Sequence, residues 1–320
     1  MKEIKSILFI TLSNLGDIIL TTPVLERLCD AFPEAGIDVI TGSAGEELFV
    51  SHPAVRKITV NKKCQNLIRR LNQVIELRAE KYDVVVDLKN SLIPYLTGAK
   101  LYSRFLIPKI CHKKEEHLSR LSCLGIDPFV NNHFFMPETK DEERDYIKGL
   151  IARRARRKIV IINPGAKSHL KRWPAYKYAE LSDRLSREAG CYIFVVGSEN
   201  DMETIEVFMS NKKETVVNLC RKTSIASLAE LTRQASLVIT NDSAPLHIAS
   251  AVGTRTIAIF GPTDERKYGP LAQGSKVIKS DVSCRPCEKA QCARGIAQGC
   301  ISDIEVNDVF QMAEKLLTDI

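Results

Sequence analysis

The chain has 320 residues, 44% of them hydrophobic and 27% charged, a composition that suits a soluble protein with roughly two domains. No apolar run approaches the ~20 residues of a membrane span. A net charge of +7 and a pI near 8.8 favour anionic partners, but no RNP motif, helix-turn-helix signature or aromatic platform accompanies the basic clusters, which argues against nucleic acid.

The N-terminal stretch Met1–Ile10 resembles a short signal sequence only superficially, because its apolar run breaks at Ser13-Asn14 without a small-residue cleavage site, and it reads as a first strand. A cytosolic chain is expected, with its ten cysteines reduced rather than paired in a disulfide framework. Strands are predicted at Ile7–Leu12, Ile37–Ile40, Val84–Asp87, Ile159–Asn163, Tyr192–Val196, Val216–Leu219, Leu237–Thr240 and Thr256–Phe260. Helical segments lie between most of them, for example Pro174–Ala189 and Ser227–Gln234. Buried strands separated by crossover helices imply an α/β fold with doubly wound parallel sheets. The strand count exceeds one such domain. The charged stretch Ile151–Arg157 precedes a new strand series, which puts the division at 1–155 and 156–320. The apolar spacing over Val306–Leu317 predicts a terminal amphipathic helix, packed on the protein and free to fold back on the first domain.

Four turns at strand ends carry candidate chemistry. Ser13-Asn14-Leu15-Gly16-Asp17 has one glycine, not the three of a dinucleotide fingerprint. Its Asp17 is either a helix cap or a general base at the mouth of a ligand crevice. Asn163–Pro174 brings Lys171 and Arg172 beside small residues, as a leaving diphosphate requires, or else presents Trp173 as a packing anchor between solvated cations. Gly197–Asp201 offers Glu199 and Asp201, either ribose contacts or an ordinary pair of helix-start acids. Asn241-Asp242-Ser243-Ala244-Pro245-Leu246-His247 joins a strand to a helix. There Asp242 or Ser243 can cap the helix, and unpaired amides suit a phosphate. Gly261-Pro262-Thr263-Asp264 adds another loop at the same sheet edge.

Together these stretches, with Thr22-Pro23, Lys171-Arg172-Trp173-Pro174, Gly197-Ser198-Glu199 and Asp87-Leu88-Lys89-Asn90-Ser91-Leu92, resemble the heptosyltransferases of glycosyltransferase family 9. The resemblance runs nearly end to end. It implies a GT-B fold, two Rossmann-like doubly wound domains facing across a cleft: an acceptor-side domain and a nucleotide-sugar-binding domain. It implies metal-independent, inverting transfer of heptose from ADP-heptose to the lipopolysaccharide inner core. By resemblance, Asp17 takes the proton of the acceptor hydroxyl. Lys171 and Arg172 meet the diphosphate, Glu199 or Asp201 meets the ribose, and Asp242, Ser243, Ala244 and His247 form the donor-phosphate turn. Asp87–Leu92 matches the acceptor-side strand and loop. Small residues and Lys167 stand where some members carry hydroxyl-bearing residues, which leaves the donor sugar open. The expected partners are a nucleotide-sugar donor and a lipid-linked anionic saccharide, reached by peripheral contact with the cytoplasmic face of the inner membrane. Lys62, Lys63, Arg69 and Arg70 would face that surface.

Cys284, Cys287, Cys292 and Cys300 fall within seventeen residues. Four thiols at this spacing can hold a structural zinc or an iron–sulfur cluster, or stay as redox-labile thiols. The other six cysteines read as buried apolar residues. No resident cofactor is expected beyond the donor. Two other readings stay open: a family 9 transferase with another nucleotide sugar, and a non-catalytic GT-B-like nucleotide-binding protein. A zinc-dependent nucleic-acid binder would rest on the cysteine loop and basic charge alone.

Overall fold

The computed structural model describes residues 3–61, 67–104, 111–130, 133–152, 157–293, 295 and 299–318, with backbone alone at 67–70. Two compact units divide the chain, Met1–Glu138 and Thr139–Ile320. The first holds strands β1 (Ser6–Ile10), β2 (Gly36–Thr41), β3 (Val55–Val60), β4 (Val84–Asp87) and β5 (Leu101–Tyr102), all parallel, in the order β3-β2-β1-β4-β5. The second holds β6 (Ile159–Asn163), β7 (Tyr192–Val195), β8 (Val217–Asn218), β9 (Leu237–Asn241), β10 (Thr256–Phe260) and β11 (Lys276–Lys279), again parallel, in the order β11-β10-β9-β6-β7-β8. Each sheet is doubly wound, and the winding reverses between β1 and β4 in one and between β6 and β9 in the other. Ligands bind at such reversals, beyond the carboxyl ends of the strands. The fold is GT-B.

The strands are continuously apolar because helices cover both faces of each sheet. Leu8, Ile10, Ile40 and Val85 pack with Leu77 of helix Leu67–Ala79, while Ile7 and Phe9 alternate to the opposite face and are also fully buried. In the second unit Val160, Ile162, Ile193 and Ile239 share a core with helices Ala175–Arg187 and Val306–Thr318. Ile159, Ile161, Phe194 and Val238 share the other core with Ile147 of helix Asp141–Ala152 and Leu231 of helix Ile225–Arg233.

That helix, Asp141–Ala152, therefore belongs to the second sheet. Thr139 donates to the Ala226 carbonyl and Ser224 to Glu143 in the same unit. The expected boundary at 155/156 falls on residues 153–156, outside the described residues. The terminal helix is part of the second unit. Val309, Phe310, Ala313, Leu316 and Leu317 lie in the core of the second.

Three strands were not anticipated: β3, β5 and β11, all at sheet edges. Proline also stands inside a helix, at Pro23 of Leu15–Ala31, where it removes the donor that Ile19 would receive. The Thr22 hydroxyl supplies one instead, 2.9 Å from the Ile19 carbonyl.

Trp173 is fully buried, edge-on to Tyr178 at 4.8 Å, and donates its indole N–H to the Ile304 carbonyl at 3.0 Å. It is a packing anchor that ties the loop after β6 to the segment before the terminal helix. Trp173→Ala should cost about 3–5 kcal/mol, read as a fall in the denaturant midpoint. A loss under ~1 kcal/mol would show that the site collapses without a cavity.

Candidate active site

In the first unit the chain leaves β1 through Thr11–Ser13 and enters helix Leu15–Ala31. The helix begins earlier than expected, so Gly16 lies in its first turn and Asn14 occupies the cap position. Asp17 is the third helical residue, and its carboxylate accepts from the Asn14 side-chain amide at 2.9 Å. Asp17 is therefore not the cap. Gly42, after β2, lets the neighbouring turn approach: a Cβ there would sit 2.6 Å from the Ser13 carbonyl oxygen.

Across the reversal, Asp87 ends β4 and is consumed by its own turn. It accepts from the amides of Lys89 and Ser91 and from the Ser91 hydroxyl, at 2.8, 2.6 and 2.7 Å. This turn holds Asn90 in the left-handed region, where its side-chain oxygen accepts from Arg120 at 2.6 Å. Burial lowers the Lys89 ammonium pKa, against the pull of Asp87. Asp17 and the Lys89–Ser91 turn thus flank the reversal of the first sheet.

In the second unit two asparagines at the ends of β6 and β9 bridge the reversal. Asn163 donates to the Gly165 carbonyl, Thr240 and Ser243, at 3.0, 3.2 and 2.9 Å. Asn241 donates to the Pro164 and Gly165 carbonyls and accepts from the Trp173 amide and the Tyr178 hydroxyl. The turns after β6 and β9 are thereby fixed to each other.

Lys171 lies in the loop so fixed, and its ammonium meets the Asp242 carboxylate at 2.6 Å. The same oxygen, Oδ2, accepts from the Thr263 hydroxyl at 2.7 Å. Asp242 and Ser243 do not cap helix Ala244–Val252. Asp242 is held by Lys171 and Thr263, while Ser243 is turned to Asn163, Thr240 and the Asn241 carbonyl. A helix N-terminus without a side-chain cap, next to a half-buried ammonium, is an anion-binding arrangement. Ala244 opens this helix and His247 is buried in its first turn.

Arg172 donates to the Ala166 carbonyl at 2.7 Å, so it shapes the loop rather than standing solvated. Asp201 closes a reciprocal capping box with Ser198, and its carboxylate occupies the space that a side chain on Gly165 would need. Glu199 points elsewhere, into an ion pair with Arg221 in the loop after β8. Asp264 caps the next helix, and its hydrogen bond with Arg266 holds its carboxyl below the usual range.

The sequence placed Asn163, Asn241 and Thr263 in candidate turns without a role, and Arg285 was missed. An amide side chain ending an otherwise apolar buried strand was the available signal for the first two. Arg285 gave none. It lies inside the cysteine loop with its side chain buried, and donates to the carbonyls of Gly261 and Thr263.

The loop therefore braces the Gly261–Asp264 turn. Burial raises the Cys300 thiol pKa. Among the described residues no group of three or more His, Cys, Asp or Glu is arranged to hold a metal ion; residues 294 and 296–298 of the loop are outside them. Of the other six cysteines five are among the described residues, and of these Cys191 and Cys220 are buried. Cys29 and Cys111 are partly exposed and Cys123 is exposed, because they sit on the outer sides of helices and turns; Cys64 lies outside the described residues. Of the basic clusters, Lys113 pairs with Glu116 and Lys114 lies over the Phe134 ring; Lys62 and Lys63 are outside the described residues, as are the side chains of Arg69 and Arg70.

Residues 130–297, just over half of the chain, match the model of glycosyltransferase family 9 (heptosyltransferase). The chain is 28% identical to lipooligosaccharide heptosyltransferase 2 of Campylobacter jejuni over 312 residues, 95% of each protein. It superposes on the glycosyl transferase family 9 protein of Veillonella parvula with a TM-score of 0.82, at 26% identity, covering 99% of this chain and 98% of that one. The Escherichia coli heptosyltransferase WaaC with ADP shares the fold, with a TM-score of 0.70 at 18% identity, over 97% and 99% of the two chains.

Proposed function

Because the chain belongs to glycosyltransferase family 9, the heptosyltransferases, we propose that it moves heptose from ADP-heptose to a lipid-linked saccharide of the lipopolysaccharide inner core. The observation that carries this reading is the Lys171–Asp242–Thr263 cluster beside the uncapped start of helix Ala244–Val252. A leaving diphosphate gains negative charge as its bond to the sugar breaks, and an ammonium with aligned amides stabilises that charge. The solved WaaC structure holds ADP, which supports an adenine nucleotide here.

In this reaction an acceptor oxygen forms a bond to the anomeric carbon from the face opposite the leaving group. The bond from that carbon to the diphosphate breaks, and ADP departs with the electron pair. Asp17 receives the acceptor hydroxyl proton. Lys171, Ser243 and Ala244 hold the diphosphate, with His247 beneath them in the same helical turn and Arg172 bracing the Ala166 backbone. Both acids offered for the ribose are engaged, Asp201 in its capping box and Glu199 with Arg221; Glu199 is assigned to the ribose because its partner is an exposed surface arginine that it can release. The acceptor is lipid-linked and anionic, so the chain works as a peripheral protein at the cytoplasmic face of the inner membrane. Among the described residues no helix is long and apolar enough to cross one.

The test is a donor screen by mass spectrometry, with ADP-heptose beside UDP- and GDP-sugars and a deacylated inner-core acceptor, in the presence of a chelator. Heptose addition from ADP-heptose alone is expected. Transfer from another donor would replace the sugar assignment, and no transfer from any of them would leave a nucleotide-binding protein.

A further inference from the structure

Large apolar side chains crowd the surface of one part of the first unit. Leu71, Ile75, Leu92, Tyr95, Leu96 and Leu101 are 55%, 66%, 72%, 57%, 46% and 42% exposed. Leu71 and Ile75 stand one turn apart on helix Leu67–Ala79, whose Leu77 faces the core. Leu92, Tyr95 and Leu96 share a face of the short helix Ile93–Thr97, which packs against that helix. Leu101 follows on the edge strand β5. Buried packing does not account for them, and an apolar patch of this kind marks a protein or membrane contact.

The surrounding charge selects between these. Residues 67–104 carry seven Lys or Arg and four Asp or Glu. Asp87 is buried in its own turn, and Asp83 accepts the amides of Lys5 and Ser6 at the far end of the sheet. Arg78, Lys81, Lys100 and Arg104 are exposed on the same segment and outnumber its exposed acids, Glu76 and Glu80, the second of which pairs with Lys57. Exposed apolar side chains on a segment with a surplus of cations, with a tyrosine among them, match a surface of anionic lipid headgroups.

The geometry points to this face as the membrane-docking surface of the chain, seated on anionic lipid. It rests on the reading that the acceptor is lipid-linked, and it deepens that reading. The Lys89–Ser91 turn at the reversal of the first sheet runs directly into Leu92 and helix Ile93–Thr97. A bilayer against the patch would deliver a lipid-borne saccharide to the edge that carries Asp17.

The experiment is cosedimentation of the full chain with vesicles of phosphatidylethanolamine and phosphatidylglycerol, beside vesicles of phosphatidylcholine alone. Binding to the anionic vesicles that weakens with salt is expected. The variant Leu71→Ser/Ile75→Ser/Leu96→Ser should lose about 10-fold or more of that binding, and Arg78→Glu/Lys100→Glu should abolish the anionic preference. Both variants should keep the parental melting temperature and their transfer to a deacylated, soluble acceptor. Undiminished vesicle binding by the triple variant overturns the proposal, as does a dimer in solution that only this variant dissociates. Vesicle binding without transfer to the soluble acceptor would instead defeat the transferase reading and leave the docking surface standing.

Discussion

Asp17→Asn should reduce sugar transfer about 10²–10⁴-fold while leaving ADP binding and the melting temperature close to those of the parent. A sugar hydroxyl is a weak nucleophile until its proton begins to leave, and a carboxylate within reach can take it. Asn keeps the size of the side chain and can still meet the Asn14 amide group through its own oxygen, but has no basic carboxylate. The structural cost is small. Asp17 is the third residue of its helix and not the cap, so the loss is at most the interaction of one partly exposed charge with the helix dipole, about 0.3–1 kcal/mol. Such a loss moves the melting temperature by a few degrees and cannot explain a hundredfold fall in turnover. The measurement is steady-state transfer with ADP titration and a melting curve on the same preparation. A variant with near-normal turnover would reduce Asp17 to a first-turn acid and overturn the base assignment.

The interior of the fold was legible because burial on both faces forces a continuous apolar run. Val84–Asp87, Ile159–Asn163 and Thr256–Phe260 were bounded correctly to the residue from this signal. The strands that escaped were β3, β5 and β11, with the sequences VRKITV, LY and KVIK. An edge strand has one neighbour and partial exposure, so charged residues are tolerated and hide β3 and β11, while β5 is too short, at two residues, to show a pattern. Helix Asp141–Ala152 read as the end of the first domain because its polar residues hide the single fully buried Ile147 that docks it on the second sheet.

The candidate turns were legible as places and less so as arrangements. A polar turn after an apolar strand marks a sheet edge, but which side chain caps a helix depends on partners far away in sequence. Asp242 is withheld from the helix by Lys171, 71 residues earlier, and by Thr263, 21 residues later. Ser243 is withheld by Asn163, 80 residues earlier. Spacing alone contains neither contact. The reverse holds at Asp201, where the local Ser198-x-x-Asp201 pattern was a capping box and the fold left it one.

Lys171→Ala should weaken ADP binding and lower turnover ~10²-fold or more, the usual consequence of removing one group that meets charge developing in the transition state. Two effects act in the same direction. The ammonium proposed to face the departing diphosphate is gone, and the Asp242 carboxylate, only 5% exposed, is left with the Thr263 hydroxyl. An anion uncovered next to a diphosphate repels it. The double variant Lys171→Ala/Asp242→Asn separates the two. If repulsion by Asp242 dominates, the double variant should recover ADP affinity but not turnover. If loss of the cation dominates, neither should recover. Stability should fall by well under the ~3–5 kcal/mol of a fully buried pair, because Lys171 is 28% exposed and water screens part of the attraction. Calorimetric ADP titration, steady-state transfer and a melting curve on both variants decide the matter. Unchanged affinity and turnover in Lys171→Ala would move the diphosphate away from this loop, and with it the donor site as assigned.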